Sequence, residues 1–428
     1  MRKLLLFGIA LVAGAGCGAL KPVETAPAQS YATHSFYSGG YVRQDTIKVV
    51  SADSLRDSLQ KDSVLRDSLL RDSLMRDSLM RDSLIRDSII RDSIVRDSVE
   101  KAAAAREAIR YDFSPVYQTD LHVPSAQAIP AGQYSGITYL GDNRYAVVHD
   151  KLNGGGIVFF DIVLSDNGRV KSASATVPEF TSGSKVTGRD NEGVAFVPSS
   201  GTMFISSESG QTITEYTLEG KETGRSLKVP AAFAKDKINS NNGFEALTYN
   251  DITKTFWTTT ETPLKADGKD SRLLRLQSFG SNLKAGKQYL YKMDAPVKSA
   301  SEGAAAKAYV HGVPALVALD DGSLIVLERE VYVPNGGLFA KALGSFTRTK
   351  LYVVNPSESA KKDGASGTVL EKSLMVQFTT ASLNLANFEG MCLGPDLPGG
   401  WHTLILIADS QGGSNGLTAE YIKVIAFK

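Results

Sequence analysis

Hydrophobic and polar positions change pattern several times along this chain. Leu4 to Ala15 is almost wholly apolar, with Arg2 and Lys3 before it and Gly16 and Cys17 after it. A basic start, a short apolar core and a small-residue exit form the layout of a secretory signal. The run is shorter than the roughly 20 residues that a permanent membrane-spanning helix needs. From Asp53 to Glu100 the pattern becomes a five-residue repeat with units such as KDSVL, RDSLL, RDSLM and RDSLI. At roughly 100° per helical residue each unit advances about 140°, so the paired apolar positions spread around a helix instead of forming one stripe. That excludes a heptad coiled coil. Each Asp has a basic residue four positions later, as Asp67 has Arg71 and Asp72 has Arg76, in the acid-first order that supports a helical i,i+4 pair. Fully helical, the tract would reach about 70 Å at about 1.5 Å per residue. It reads as a stalk, with self-association through its many exposed Leu, Ile and Met side chains as the alternative.

EKAAAAREAIR closes the tract as a helix-like linker, and from about Tyr111 the pattern changes again. Short runs of β-branched and aromatic residues, among them IVFFDIVL, TFWTTTE, SLIVLERE, HTLILIAD and YIKVIAF, alternate with Gly, Asn, Asp and Pro. This predicts strands and turns with little sustained helix. The strands repeat in pairs. YSGITYLGDNRYAVVHD, NEGVAFVPSSGTMFISSE, GFEALTYNDITKTFWTTTE, VPALVALDDGSLIVLER and NFEGMCLGPDLPGGWHTLILIAD each give a short strand, a turn, and a longer strand ending in or near a charged residue, at spacings of about 50 to 75 residues. Such repetition predicts an all-β fold, a β-propeller of four-stranded blades around a central channel. The expected number is five to seven blades, with six favoured because the segment near 111–125 and the C-terminal EYIKVIAFK can make a further unit. A pair of β-sandwiches would explain the strand content but not the recurring strand-end carboxylates. The expected organisation is a signal segment at 1–17, a linker at 18–52, a stalk and linker at 53–110 and the propeller at 111–428.

RDNEGVAF, NNGFEALTY, SLIVLERE and NFEGMCLGPDLPGGWHTLILIAD, taken in order, resemble the recurrent motifs of the phytase-like propeller family, the one associated with esterase-like activity of phytase. The resemblance covers most of residues 112–428 and leaves the signal and stalk outside. It implies a hydrolase of phosphate esters or related esters, with phytate-like molecules as substrate. Separately, AGAGC resembles the lipobox of bacterial lipoproteins, with Gly14 where Leu is usual and Cys17 as the lipidated residue. The expectation is an exported protein of the bacterial cell envelope, anchored in the outer membrane through Cys17. Cys392 then has no disulfide partner and, within GMCLG, reads as a small buried hydrophobe.

The chemistry resides in the repeated carboxylates. Glu192, Glu245 and Glu389 stand at equivalent places ahead of their strands, while Asp150, Glu208, Glu261, Glu328 and Asp409 end the strands that follow. In a propeller both sets converge near the axis, where unpaired carboxylates need protons, basic partners or a metal. Calcium suits all-oxygen sites, with Glu192, Glu245 and Glu389 as ligands and Asn191, Asn242 and Asn387 as further oxygen donors. Zinc is disfavoured because His122, His149, His311 and His402 lack close ligand spacing. Arg189 and Arg329, with Asp150 and Asp409, are candidates for binding substrate, and Glu208, Glu261, Glu328 and His311 are candidates for acid–base catalysis. The plain structural alternative is that these carboxylates accept hydrogen bonds from neighbouring blades and that the ER of LERE is an internal ion pair.

Other chemistries find no support. The G-x-S-x-G pattern GGSNG at 412–416 stands in a glycine-rich run followed by the strand-like EYIKVIAF, not by the helix that a nucleophile elbow needs, and LNGGGIV lacks the lysine of a P-loop. A formal net charge of +1, with acids and bases interleaved, gives no basic stripe for nucleic acid. The function classes left are a calcium-assisted hydrolase, a calcium-dependent lactonase of the gluconolactonase kind, and a non-catalytic propeller that binds a ligand or envelope partner.

Overall fold

The computed structural model describes residues 52–428 except 150–155, 179–189, 240–241, 269, 357–367, 382–383 and 413–417. Cys17, Asp150 and Arg189, with the signal and nearly all of the first linker, lie outside the described residues. The repeat tract forms one helix, α1 (Ala52–Ala108). Its apolar side chains face solvent in successive units, with Leu59 65%, Leu74 61% and Ile89 62% exposed, as a five-residue period that never builds a stripe requires.

The strands form five sheets of four, each an antiparallel blade. Blade one holds β2 (Tyr134–Gly141), β3 (Arg144–His149), β4 (Ile157–Leu164) and β5 (Val170–Thr176), and blade two holds β6 (Asn191–Val197), β7 (Thr202–Ser207), β8 (Thr212–Thr217) and β9 (Glu222–Ser226). Blade three holds β10 (Phe244–Asn250), β11 (Thr255–Thr260), β12 (Leu273–Phe279) and β13 (Ala285–Lys292). Blade four holds β14 (Ala308–Ala318), β15 (Leu324–Val333), β16 (Phe346–Val354) and β17 (Lys372–Ala381). Blade five takes β18 (Asn387–Leu393), β19 (His402–Asp409) and β20 (Ile422–Phe427) from the C-terminal end, and β1 (Tyr117–Gln118) as its outer strand. The segments expected to make a sixth blade therefore complete the fifth. Tyr117 pairs with Ala426 and Gln118 with Ile425, so chain start and chain end close the ring and β1 covers part of the β20 edge.

Apolar faces pack blade on blade. Tyr145 and Phe160 of blade one meet Ile405, Ile407 and Val424 of blade five, and Phe204 of blade two meets Phe256 of blade three at 4.7 Å between ring centroids. Each such fully buried side chain stabilises the fold by about 1.5–3 kcal/mol. Around the axis the inner strands approach too closely for side chains. A Cβ on Gly136 would lie 2.3 Å from the Glu192 carbonyl oxygen, and one on Gly193 would lie 2.5 Å from that of Glu245. One on Gly390 would lie 2.7 Å from the Ser135 carbonyl oxygen. Backbone cannot yield as a side chain does, so Gly136→Ala is expected to lower stability by about 1–3 kcal/mol or more. A urea-unfolding midpoint unchanged from wild type would contradict this tight waist.

Candidate functional site

Every inner strand breaks register at the same level, just above the waist. In β10 the extra residue is Glu245, between the Phe244–Thr260 and Ala246–Thr259 pairs, and in β18 it is Glu389, between Phe388–Ala408 and Gly390–Ile407. The register jumps across Glu192 and Gly193 in β6, across Ser135 and Gly136 in β2, and across Val313 and Pro314 in β14. A bulge re-aims the extra side chain. Blades two, three and five thus each offer a glutamate at one height, blade one a serine, and blade four no polar side chain. Glu245 is buried, and its carboxyl is raised well above the ordinary value by burial first and then by the like charges of Glu192, Glu261 and Glu389. These carboxylates therefore do share one space, as the repeat predicted.

Within that space they divide into two groups. Oxygen atoms of Glu192, Glu208 and Glu245 all lie within 4.8 Å of one another. Glu208, at the end of β7, is fixed by accepting from the Gly243 backbone N–H at 2.8 Å. The second group is gathered by Arg329, which fills the place that blade four leaves without a carboxylate. Its Nη2 donates to Glu261 at 2.6 Å, and its Nη1 donates to Asn387 Oδ1 at 2.8 Å and also to Glu389. Asn242 donates to the other Glu261 oxygen at 3.0 Å, and Asn387 donates to Glu389 at 2.9 Å. Burial works against the Arg329 charge, but Glu389, Glu261 and Glu245 outweigh it and raise its pKa.

Asp409 ends β19 opposite Asn387. Burial, with the nearby Glu389 charge, pushes its carboxyl up to about 8, against the hydrogen bonds it accepts from Gln411. Glu420, which the repeat did not reveal, is pushed up to about 7 by burial, against bonds from Ser410 and from the Gly132 N–H at 2.8 Å. No strand-end pattern marks Glu420, because it precedes β20, the third strand of its blade, and meets Gly132 of blade one only where the ring closes.

Glu328 and His311 lie elsewhere. The ladder sets Glu330, not Glu328, level with Glu208, Glu261 and Asp409, since Gly312 pairs with Arg329 and His311 with Glu330. Glu328 accepts from the Tyr291 hydroxyl and from Lys372, each at 2.6 Å, within a network that joins blades three and four through Asp294. Glu330 accepts from the Val297 and Lys298 N–H groups at 2.7 and 2.9 Å. His311 is held below the ordinary imidazole value by burial, against the raising influence of Glu330 and Glu328. Adjacent strand residues point to opposite faces, so Arg329 reaches the axial group while its neighbours face blade three.

A sequence profile described as "Phytase-like: Esterase-like activity of phytase" matches residues 129–411, more than half of the chain. No curated protein matches the sequence. Among solved structures, the Kuenenia stuttgartiensis hydrazine synthase is 10% identical with a TM-score of 0.31, over 67% of this chain and 58% of its own. This chain thus spans less than two thirds of that one. A luciferin-regenerating enzyme is 10% identical with a TM-score of 0.35, over 72% of this chain and 95% of its own. The Swd1 β-propeller domain of Myceliophteria thermophila is 10% identical with a TM-score of 0.30, over 73% of this chain and 99% of its own. At these scores the likenesses say nothing of chemistry.

Proposed function

The chain belongs to the phytase-like family, and from that membership we propose that its propeller is a metal-assisted hydrolase of phosphate esters or related esters, centred on the axial carboxylates. The observation that carries the proposal is the meeting of Glu192, Glu208 and Glu245 within 4.8 Å. Oxygens brought this close offer one ion several ligands, and a donor set of carboxylate oxygens without sulfur or imidazole suits calcium. Glu192, Glu208 and Glu245 would hold the ion. Bound there, calcium would offset the like charges and polarise a phosphoryl or carbonyl oxygen. Arg329 fixes Glu261 and Glu389 beside it. Asp409, with its carboxyl pushed up to about 8, retains a proton at neutral pH and is suited to protonate a leaving oxygen.

Export and attachment through Cys17 belong to the same proposal, supported by Arg2, Lys3, the apolar run and AGAGC. The test is phosphate release from phytate, and acid release from chromogenic esters, by the purified protein in calcium and in chelator. Release that needs calcium supports the hydrolase. No release from either class by a folded sample would sink it, leaving a lactone substrate or a propeller that binds without turnover.

A further inference from the structure

At the other end of the axis, beyond the glycine waist, lies a cavity of about 210 Å³ that none of the axial carboxylates lines. Ile137, Val194, Leu247 and Met391, from four inner strands, form its apolar wall. Counting four residues on from the bulge of each inner strand gives Tyr139, Phe196, Tyr249, Val317 and Leu393, all of which line the cavity. Blades one to three therefore set aromatic rings at one height on one side of the axis. Two of these rings are backed by buried ones: Tyr139 by Tyr145 at 5.0 Å and Tyr249 by Phe256 at 4.5 Å between centroids. Their positions are fixed before any ligand arrives.

The charge around this mouth has one dominant sign. The turns between the first and second strands of the blades carry Asp142, Asp251, Asp320, Asp321 and Asp396 against Lys254; Asp251 lines the cavity itself, Arg144 follows the Asp142 turn, and Asp396 pairs with His402 at 2.8 Å. Lys254 is engaged with Asp251 at 2.7 Å, and Asn250 holds Asp320 at the rim through a 2.7 Å hydrogen bond. The Tyr249 hydroxyl donates to Asp251 at 3.3 Å, which makes its ring richer in electrons. Aromatic faces attract cations through their quadrupoles, and a mouth lined by one sign of charge concentrates the opposite sign.

We propose that this cavity binds a small organic cation, an alkylammonium head of apolar surface, between Tyr139, Phe196 and Tyr249. The volume is below the roughly 300–1,000 Å³ of drug-sized sites, which limits the ligand to a headgroup. Its lining begins beyond Gly136, Gly193 and Gly390 on their strands and includes none of the axial carboxylates, so neither site needs the other to be occupied.

The probes are choline and its neutral carbon isostere 3,3-dimethylbutan-1-ol, titrated calorimetrically into the full chain at low and high salt. Choline is expected to bind at least tenfold tighter than the isostere, and more weakly as salt rises. Phe196→Leu, which keeps apolar bulk and removes the ring, is expected to weaken choline at least fivefold with the thermal unfolding midpoint unchanged. Glu245→Gln is expected to leave choline binding unaltered, since it acts only across the waist. Equal affinity for choline and isostere, no detectable choline binding, or a Phe196→Leu protein that binds like wild type would each overturn the proposal.

Discussion

Arg329→Met is expected to cost the propeller about 3–5 kcal/mol, the scale for removing one partner of a buried ion pair. The guanidinium side chain is 5% exposed, and its partners Glu261 and Glu389 are 4% and 11% exposed. Without it, those carboxylates and Glu245 lose the cation that offsets their mutual repulsion. A domain of ordinary stability has about 5–15 kcal/mol in total, so chemical denaturation should show the loss plainly. Arg329→Lys is expected to rescue little, because one ammonium cannot span Glu261, Glu389 and Asn387 as a planar fork does. Adding Glu261→Gln to Arg329→Met should restore part of the loss, since it removes one stranded charge. If the single variant unfolds at the wild-type denaturant concentration, Arg329 is not the counter-ion that holds this end of the axis together.

Glu245→Gln is expected to act in opposite directions with and without calcium. In chelator the buried Glu245 carboxyl is raised above its ordinary value of 4.5 by burial and by neighbouring glutamates. A carboxyl raised on folding contributes stability that is complete below its unfolded pKa and lost as pH rises through the folded one. Gln does not titrate, so the variant should overtake wild type as pH climbs past the unfolded value. The gain should appear in chelator as a higher Tm for the variant than for wild type above that pH. In calcium the order reverses. Wild type should gain about 2.7 kcal/mol at a hundredfold excess over Kd, and the variant, with one ligand charge removed, should gain far less. A calcium-induced Tm shift of equal size in both proteins would remove Glu245 from the metal site. The same pair of proteins, assayed on phytate and on chromogenic esters, links metal binding to turnover.

Much of the axial site was legible in the repeat. Glu192, Glu245 and Glu389 hold equivalent sequence places, and the charges of Glu192 and Glu389 act on Glu245, because equivalent residues of equivalent blades are brought to one height by the ring. Their division was not legible. Glu389, expected beside Glu192 and Glu245, is held by Arg329, while Glu208, read as a strand-end acid, joins the close triad instead. Which carboxylate meets which cation depends on contacts between blades, and no repeat within a blade encodes those. Glu328 shows a second reason. Aligning LERE by its first acid put Glu328 level with Glu208 and Glu261, but the β14–β15 ladder puts Glu330 there. The offset is two residues, so Glu328 and Glu330 share the face toward blade three, while Arg329 between them turns to the axial group.

By itself the sequence determined the all-β propeller class, the helical character of the five-residue tract and the gathering of acids at the axis. Periodicity and turn chemistry act over a few residues, and repetition carries their result around the ring. Only the tertiary structure decided the blade number, since the pairing of Tyr117 with Ala426 joins residues from the two ends of the domain. It alone decided which acids Arg329 gathers, that Glu192, Glu208 and Glu245 meet within 4.8 Å, and that neighbouring inner strands pack backbone to backbone at Gly136, Gly193 and Gly390. Those outcomes depend on burial and on like charges forced within a few ångströms, which exist only once the blades have closed.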